Sequence, residues 1–167
     1  MGFLGLCLLF VGIALIMNGV AALSDWDAKT AAFINLVTGS LLVIGNFIGL
    51  FRAEVLPDYT NAAGGFLFGV TYLFIAANYL LKLDVRAFGW YSLWVALFAV
   101  IGAFVSVRAS AVPLGILWGA WAVLWGLGFL QLGLRIKPLA KVFPYVSILE
   151  GIFAAGVPGV FMLFGWW

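Results

Sequence analysis

Histidine is absent from this sequence, and cysteine occurs once, at Cys7. A serine or cysteine triad needs a histidine base, so that chemistry is excluded. With a single thiol there is no internal disulfide, and a His/Cys metal site is implausible. Phosphate-binding loops, Gly-rich dinucleotide turns and HExxH are also missing. No cofactor is expected, and an enzyme is disfavoured because no nucleophile–base pair or metal site can be assembled from these residues. Charge is scarce: only 8% of residues are charged, against about a quarter in a soluble domain. The eight basic residues exceed the six acidic ones by a formal +2, too little and too scattered to indicate nucleic acid. Neither the buried carboxylate and base chain of a proton pump nor the charged ring of an ion channel is present.

Apolar side chains are plentiful, at 66% of the 167 residues with 17% aromatic and a mean hydropathy of +1.24. Such a chain needs lipid as its solvent. The charges fall in clusters: Asp25, Asp27, Lys29; Arg52, Glu54, Asp58; Lys82, Asp84, Arg86; Arg108; Arg135, Lys137, Lys141; then Glu150 alone. Each gap between clusters holds the roughly 20 apolar residues that a helix needs to cross the hydrocarbon. Strand-sized alternation is absent, which leaves helices as the way to satisfy the backbone in lipid. The expectation is an all-α membrane protein of one domain, residues 1–167, with helices over about 2–24, 30–51, 61–82, 87–107, 112–133 and 144–166. The first run lacks the basic n-region of a signal peptide and reads as a retained helix. Met1-Gly2 lacks the downstream Ser/Thr of an acylation signal.

Short connections carry turn signals at Ser24-Asp25, Pro57-Asp58, Val112-Pro113 and Pro138 to Pro144. Counted over Lys and Arg, connections one, three and five hold six and connections two and four hold two. The positive-inside rule then puts the odd connections in the cytoplasm and both termini outside. Close helix packing in lipid relies on small residues. Gly45/Gly49, Gly65/Gly69 and Gly115/Gly119, each at i, i+4, are candidate contact faces.

Few residues inside the spans have chemistry to offer. Glu150 is the one ionisable group there, and such a group usually faces a cavity or a partner. Two readings are open: a carboxylate near the cytoplasmic interface paired with Lys141 or Arg135, or a group facing a pore. Trp118, Trp121 and Trp125 at i, i+3, i+7 share one helix face over about 10 Å. They form either packed core or a wall for a planar, uncharged amide, with indole N–H groups donating to its carbonyl. Phe68 and Tyr72, flanked by Thr71, repeat the pattern. The Tyr72 hydroxyl needs a partner, either another helix or a passing solute. The remaining embedded amides and hydroxyls, Asn18, Asn35, Thr38, Asn46, Asn78, Ser92, Ser106, Gln131 and Ser147, are read mostly as interhelical hydrogen bonders. Aromatics and neutral amides suit a small polar nonelectrolyte, since an ion would lose its hydration with nothing to replace it.

Several stretches resemble the urea-channel and amide-transporter family (AmiS/UreI). They are residues 8–19 (LLFVGIALIMNG), 67–73 (LFGVTYL), 89–93 (GWYSL), 118–125 (WGAWAVLW) and 148–151 (ILEG), in order along nearly the whole chain. The resemblance implies a twisted six-transmembrane-helix bundle with both termini periplasmic, in a homohexamer with a pore within each protomer. It also implies that Phe68, Tyr72, Trp121 and Trp125 form a constriction, with Trp118 in the same wall and Val11 and Leu15 as helix-one lining. Glu150 would match the family's buried glutamate and Asn18 its helix-one asparagine. The acid-gated members have a longer, histidine-bearing second periplasmic loop, which this chain lacks. Histidine is the side chain that ordinarily titrates between pH 5 and 8, so flux independent of pH is expected. The function implied is passive passage of urea or short-chain amides across a bacterial inner membrane toward a cytoplasmic urease or amidase. The alternatives are a proton-coupled transporter using Glu150, a membrane enzyme and a purely structural protein.

Overall fold

The protein's computed structural model describes residues 2–24 and 26–167; Asp25, counted above among the connection charges, and Met1 lie outside the described residues. Among the described residues six helices are long and apolar enough to span a bilayer: α1 (Gly2–Leu23), α2 (Lys29–Leu50), α3 (Leu56–Leu81), α4 (Val85–Arg108), α5 (Val112–Gly133) and α6 (Phe143–Phe164). The last turn of α5, Phe129–Gly133, is π-helical, and a second π segment, Gly151–Gly156, interrupts α6.

Local chemistry explains the helix ends. α3 begins at Leu56 rather than at 61, because Pro57 occupies the first turn and the Asp58 carboxylate accepts from the backbone N–H groups of Glu54 and Val55 at 3.0 and 3.2 Å. A proline there loses nothing, since its missing N–H has no intrahelical partner. Lys82 in the left-handed region (φ 53°) stops α3. Asp84 caps α4 by accepting from the Arg86 N–H at 3.0 Å and pairs with the Arg86 guanidinium. That hydrogen bonding holds the exposed Asp84 carboxyl down at about 2.

Each helix packs on its neighbours in sequence and α6 returns to α1, so the six form a closed ring. Contact is most extensive along α2/α3, α4/α5 and α6/α1. Glycines sit on these seams. A Cβ on Gly12 would lie 2.8 Å from the Gly151 carbonyl oxygen and from the Gly156 nitrogen, and one on Gly5 3.0 Å from the Gly159 oxygen. Gly5, Gly12 and Gly19 therefore form a seven-residue repeat along which α1 lies against α6. Gly69 presses on Val43 of α2, and Gly115 on Val107 of α4. Gly49 and Gly119 have open space around them. The i, i+4 spacing thus picked one contact glycine from each of those two pairs rather than both, because it is blind to which way the helix face turns.

Polarity is distributed for lipid. Phe33, Phe47, Trp94, Phe104 and Phe153 point outward and exposed, while Asn35, Thr38, Thr71, Ser92 and Ser147 are buried inside. The inner polar groups tie the ring together. Asn18 and Asn35 exchange amide hydrogen bonds between α1 and α2 at 2.9 and 2.6 Å, Thr38 donates to the Phe10 oxygen, and Ser147 donates to the Leu15 oxygen at 2.8 Å.

Candidate functional site: two cavities and an aromatic layer

Two cavities of about 320 and 330 Å³ lie inside the ring. The first is bordered by Ala22, Tyr79, Val85 and Phe143, next to the Lys/Arg-rich connections one, three and five. The second is bordered by Phe3, Asn61 and Leu114 at the opposite end. Among the described residues none lines both. On three helices the change from one to the other takes three or four residues: Val11 to Leu15 on α1, Phe68 to Thr71 and Tyr72 on α3, and Trp121 to Leu124 and Trp125 on α5. Four residues of helix rise about 6 Å, so the barrier between the cavities is one helical turn thick.

Aromatic rings fill that turn. Phe68 stacks on Trp125 with centroids 4.5 Å apart and planes at 26°, meets Trp121 edge-on at 5.1 Å, and touches Trp118 at 5.4 Å. Trp118 and Trp121 meet edge-on at 5.1 Å. Phe68 is therefore the hub of the cluster, and the three tryptophans act as its walls. Offset and edge-on pairs of this kind are each worth about 0.5–1.5 kcal/mol beyond burial. Thr71 and Tyr72 join the first cavity on the same side of α3.

The orientation of the Trp121 indole follows from Pro158, 37 residues downstream. In an α-helix the Ala154 carbonyl would accept from the N–H of residue 158, which is proline and has none. Within the π segment that oxygen accepts instead from the Trp121 Nε1–H at 3.2 Å. The donor expected to serve a permeant carbonyl is thus committed to the protein. The Thr71 hydroxyl is likewise engaged, donating to the Leu67 oxygen at 2.9 Å, which Tyr91 also caps at 2.6 Å.

Sequence-selected residues are placed as follows. Val11, Phe68, Trp118 and Trp121 line the second cavity; Leu15, Asn18, Thr71, Tyr72 and Trp125 line the first. Asn18 reaches the first cavity with its amide already paired to Asn35. Glu150 lines neither. It is buried in a shallow groove between α5 and α6 with Leu117, Ala120 and Phe153, and its Oε2 has no hydrogen-bond partner among the described residues. The ion pair with Lys141 or Arg135 does not form; the one salt bridge among the described residues joins Arg86 to Asp84. Glu150 falls on the α5-facing side of α6, and Ser147, three residues earlier, takes the cavity position. Ser147 is the interhelical hydrogen bonder expected, donating to the Leu15 oxygen, and it also lines the first cavity; Asn78 and Gln131 line that cavity with their side-chain oxygens unpartnered among the described residues. A signal for Gln131 was its place just before Gly133, whose backbone lies against Gly89 of α4.

The sequence profile of the AmiS/UreI family transporters matches residues 3–166. The chain belongs to the AmiS/UreI family. Relatives within the family include the acid-activated urea channel of Helicobacter pylori, 34% identical over an alignment covering 98% of this chain and 99% of the relative. The transporter protein AmiS2 of Rhodococcus erythropolis is 35% identical, with 99% of this chain and 80% of the relative covered. The cryo-EM structure of the H. pylori urea channel in its closed state superposes with a TM-score of 0.90 at 35% identity, covering 98% of this chain and 99% of that one. The crystal structure of the same channel gives 0.89 at 36% identity, with the same coverage. The urea-channel alignment runs to 194 residues, more than this chain's 167, so that relative holds segments with no counterpart here. As an AmiS/UreI member with six apolar spans, the chain is a multi-pass membrane protein of the transport class.

Proposed function

We propose that this chain is a passive channel for urea and short aliphatic amides such as acetamide. The observation that carries this reading is the pair of cavities entering from opposite ends and separated by a single aromatic turn. A planar neutral amide can slide along ring faces, which an ion cannot do without losing its hydration. The near absence of charge along the path favours a nonelectrolyte. Both termini lie in the periplasm of a bacterial inner membrane on this reading, so the first cavity opens to the cytoplasm, where a urease or amidase removes the solute. Because a single chain closes its own ring around both cavities, each protomer of the proposed homohexamer has its own pore. Without histidine, no acid gate of the histidine type operates.

Glu150 supports a second reading, proton-coupled uptake, through its unpartnered buried oxygen. Its absence from both cavities weighs against that role. Stopped-flow light scattering on proteoliposomes, with urea and acetamide gradients with and without protonophore, separates the two. Fast flux insensitive to protonophore, retained in Glu150→Gln, supports the channel. Concentrative uptake abolished by the same substitution supports the coupled transporter. Flux no faster than in empty liposomes overturns both.

A further inference from the structure

The first cavity contains more polar side chains than it needs for its own cohesion. Asn18, Thr71, Ser92 and Ser147 on its walls are committed to the protein, each by a hydrogen bond to a neighbouring helix or to its own preceding turn. Asn78 on α3 and Gln131 in the π-helical end of α5 are different. Their carbonyl oxygens are buried and have no hydrogen-bond partner among the described residues, although both residues line the cavity. Two unpartnered carboxamide oxygens on residues of one cavity are unusual, because buried polar atoms nearly always find partners. Gln131 owes its position to a π segment, a distortion often found at functional sites.

We propose that Asn78 and Gln131 form a binding subsite for the carboxamide of the permeant, on the side of the aromatic layer that faces the basic connections. A side-chain amide turns easily about its terminal bond, whose torsional profile is broad and two-fold. The turn exchanges its oxygen for its NH2, so each residue can accept from a permeant N–H or donate to a permeant carbonyl. The geometry needed already exists in the protein: Asn18 and Asn35 pair amide to amide through two reciprocal bonds of 2.9 and 2.6 Å. A urea or primary amide leaving the aromatic layer past Trp125 and Tyr72 enters this cavity, where an Asn78 or Gln131 amide turned toward it can pair with it. The aromatic layer then selects by shape and the Asn78/Gln131 pair by hydrogen bonding. The inference rests on the channel reading.

The test is the concentration of acetamide that halves uptake of labelled urea into proteoliposomes, in wild type and in Asn78→Leu and Gln131→Leu. Loss of one hydrogen bond of ~1 kcal/mol weakens binding about fivefold. The half-inhibiting concentration should therefore rise about fivefold in each variant, and the urea concentration that half-saturates urea flux should rise with it. A purely structural role would lower flux at every concentration and leave the half-inhibiting value in place; that result overturns the subsite and leaves the channel standing. Should the leucine variants not insert, Asn78→Ala and Gln131→Ala remove the amide without filling the cavity and carry the same expectation. Wild-type uptake equal to that of empty liposomes overturns the channel reading, and the subsite with it.

Discussion

Replacing Gly12 by alanine tests the seam that sets the position of α1, and with it one wall of both cavities. The new Cβ would stand 2.8 Å from the Gly151 oxygen and the Gly156 nitrogen, where ordinary contact begins at 3.4 Å. Both obstructing atoms are backbone, so no side chain can swing aside, and α1 must retreat from α6 by about 0.6 Å. A gap of that size forfeits roughly a quarter to a half of each dispersion contact along the seam, and overpacking of this kind typically costs about 1–3 kcal/mol. Alanine also gains up to about 1 kcal/mol of helix propensity over glycine, which would mask part of the loss. Gly119→Ala provides the control, since its Cβ meets nothing within 4 Å and collects the propensity gain alone. The difference between the two variants isolates the steric cost. At about 2–4 °C per kcal/mol for a chain of this size, Gly12→Ala should melt about 2–12 °C below Gly119→Ala in detergent. Val11 and Leu15 flank Gly12 on the two cavities, so urea flux should change in Gly12→Ala and stay at the wild-type value in Gly119→Ala. Equal melting temperatures for the two variants would refute the reasoning.

Phe68→Ala removes the hub on which three tryptophans pack; flux should rise and discrimination against longer amides such as butyramide should weaken, measured as the butyramide-to-urea flux ratio. Trp121→Phe keeps a ring but leaves the Ala154 oxygen without its donor, a loss of about 1–3 kcal/mol visible as a lower melting temperature. Asn35→Leu strands the Asn18 amide at a similar cost, and in a double-mutant cycle Asn18→Leu should add much less on top of it than it costs alone. Acidity should matter little to the Asp84–Arg86 cap between pH 8 and 5. The Asp84 carboxyl, held near 2 by Arg86, gives its stabilisation in full above the unfolded value of about 4 and loses it as pH falls through about 2. With no histidine in the chain, urea flux should also be flat over that range, and a several-fold rise between pH 7 and 5 would count against the proposed ungated pore.

Charge placement made the six spans legible in the sequence, because a hydrocarbon slab about 30 Å thick forces every cluster of charge to its edges whatever the helices do next to one another. The i, i+3, i+7 spacing of Trp118, Trp121 and Trp125 likewise announced one shared face, since a helix has a fixed period. Partnership across helices was not legible. Whether Trp121 offers its N–H to a solute or spends it on Ala154 depends on a proline on another helix and on the π segment before it. Glu150 and Ser147 are three residues apart, yet one faces α5 and the other the cavity, a choice made by the rotation of α6 against α1. Asn78 and Gln131 are 53 residues apart and meet the same cavity only once the ring has closed. Periodicity and solvent preference act along one chain segment, so sequence alone determined the number of spans and the stripe of rings. The rotation of each helix about its axis is set by what its glycines can approach, and that was decided only when all six were packed together.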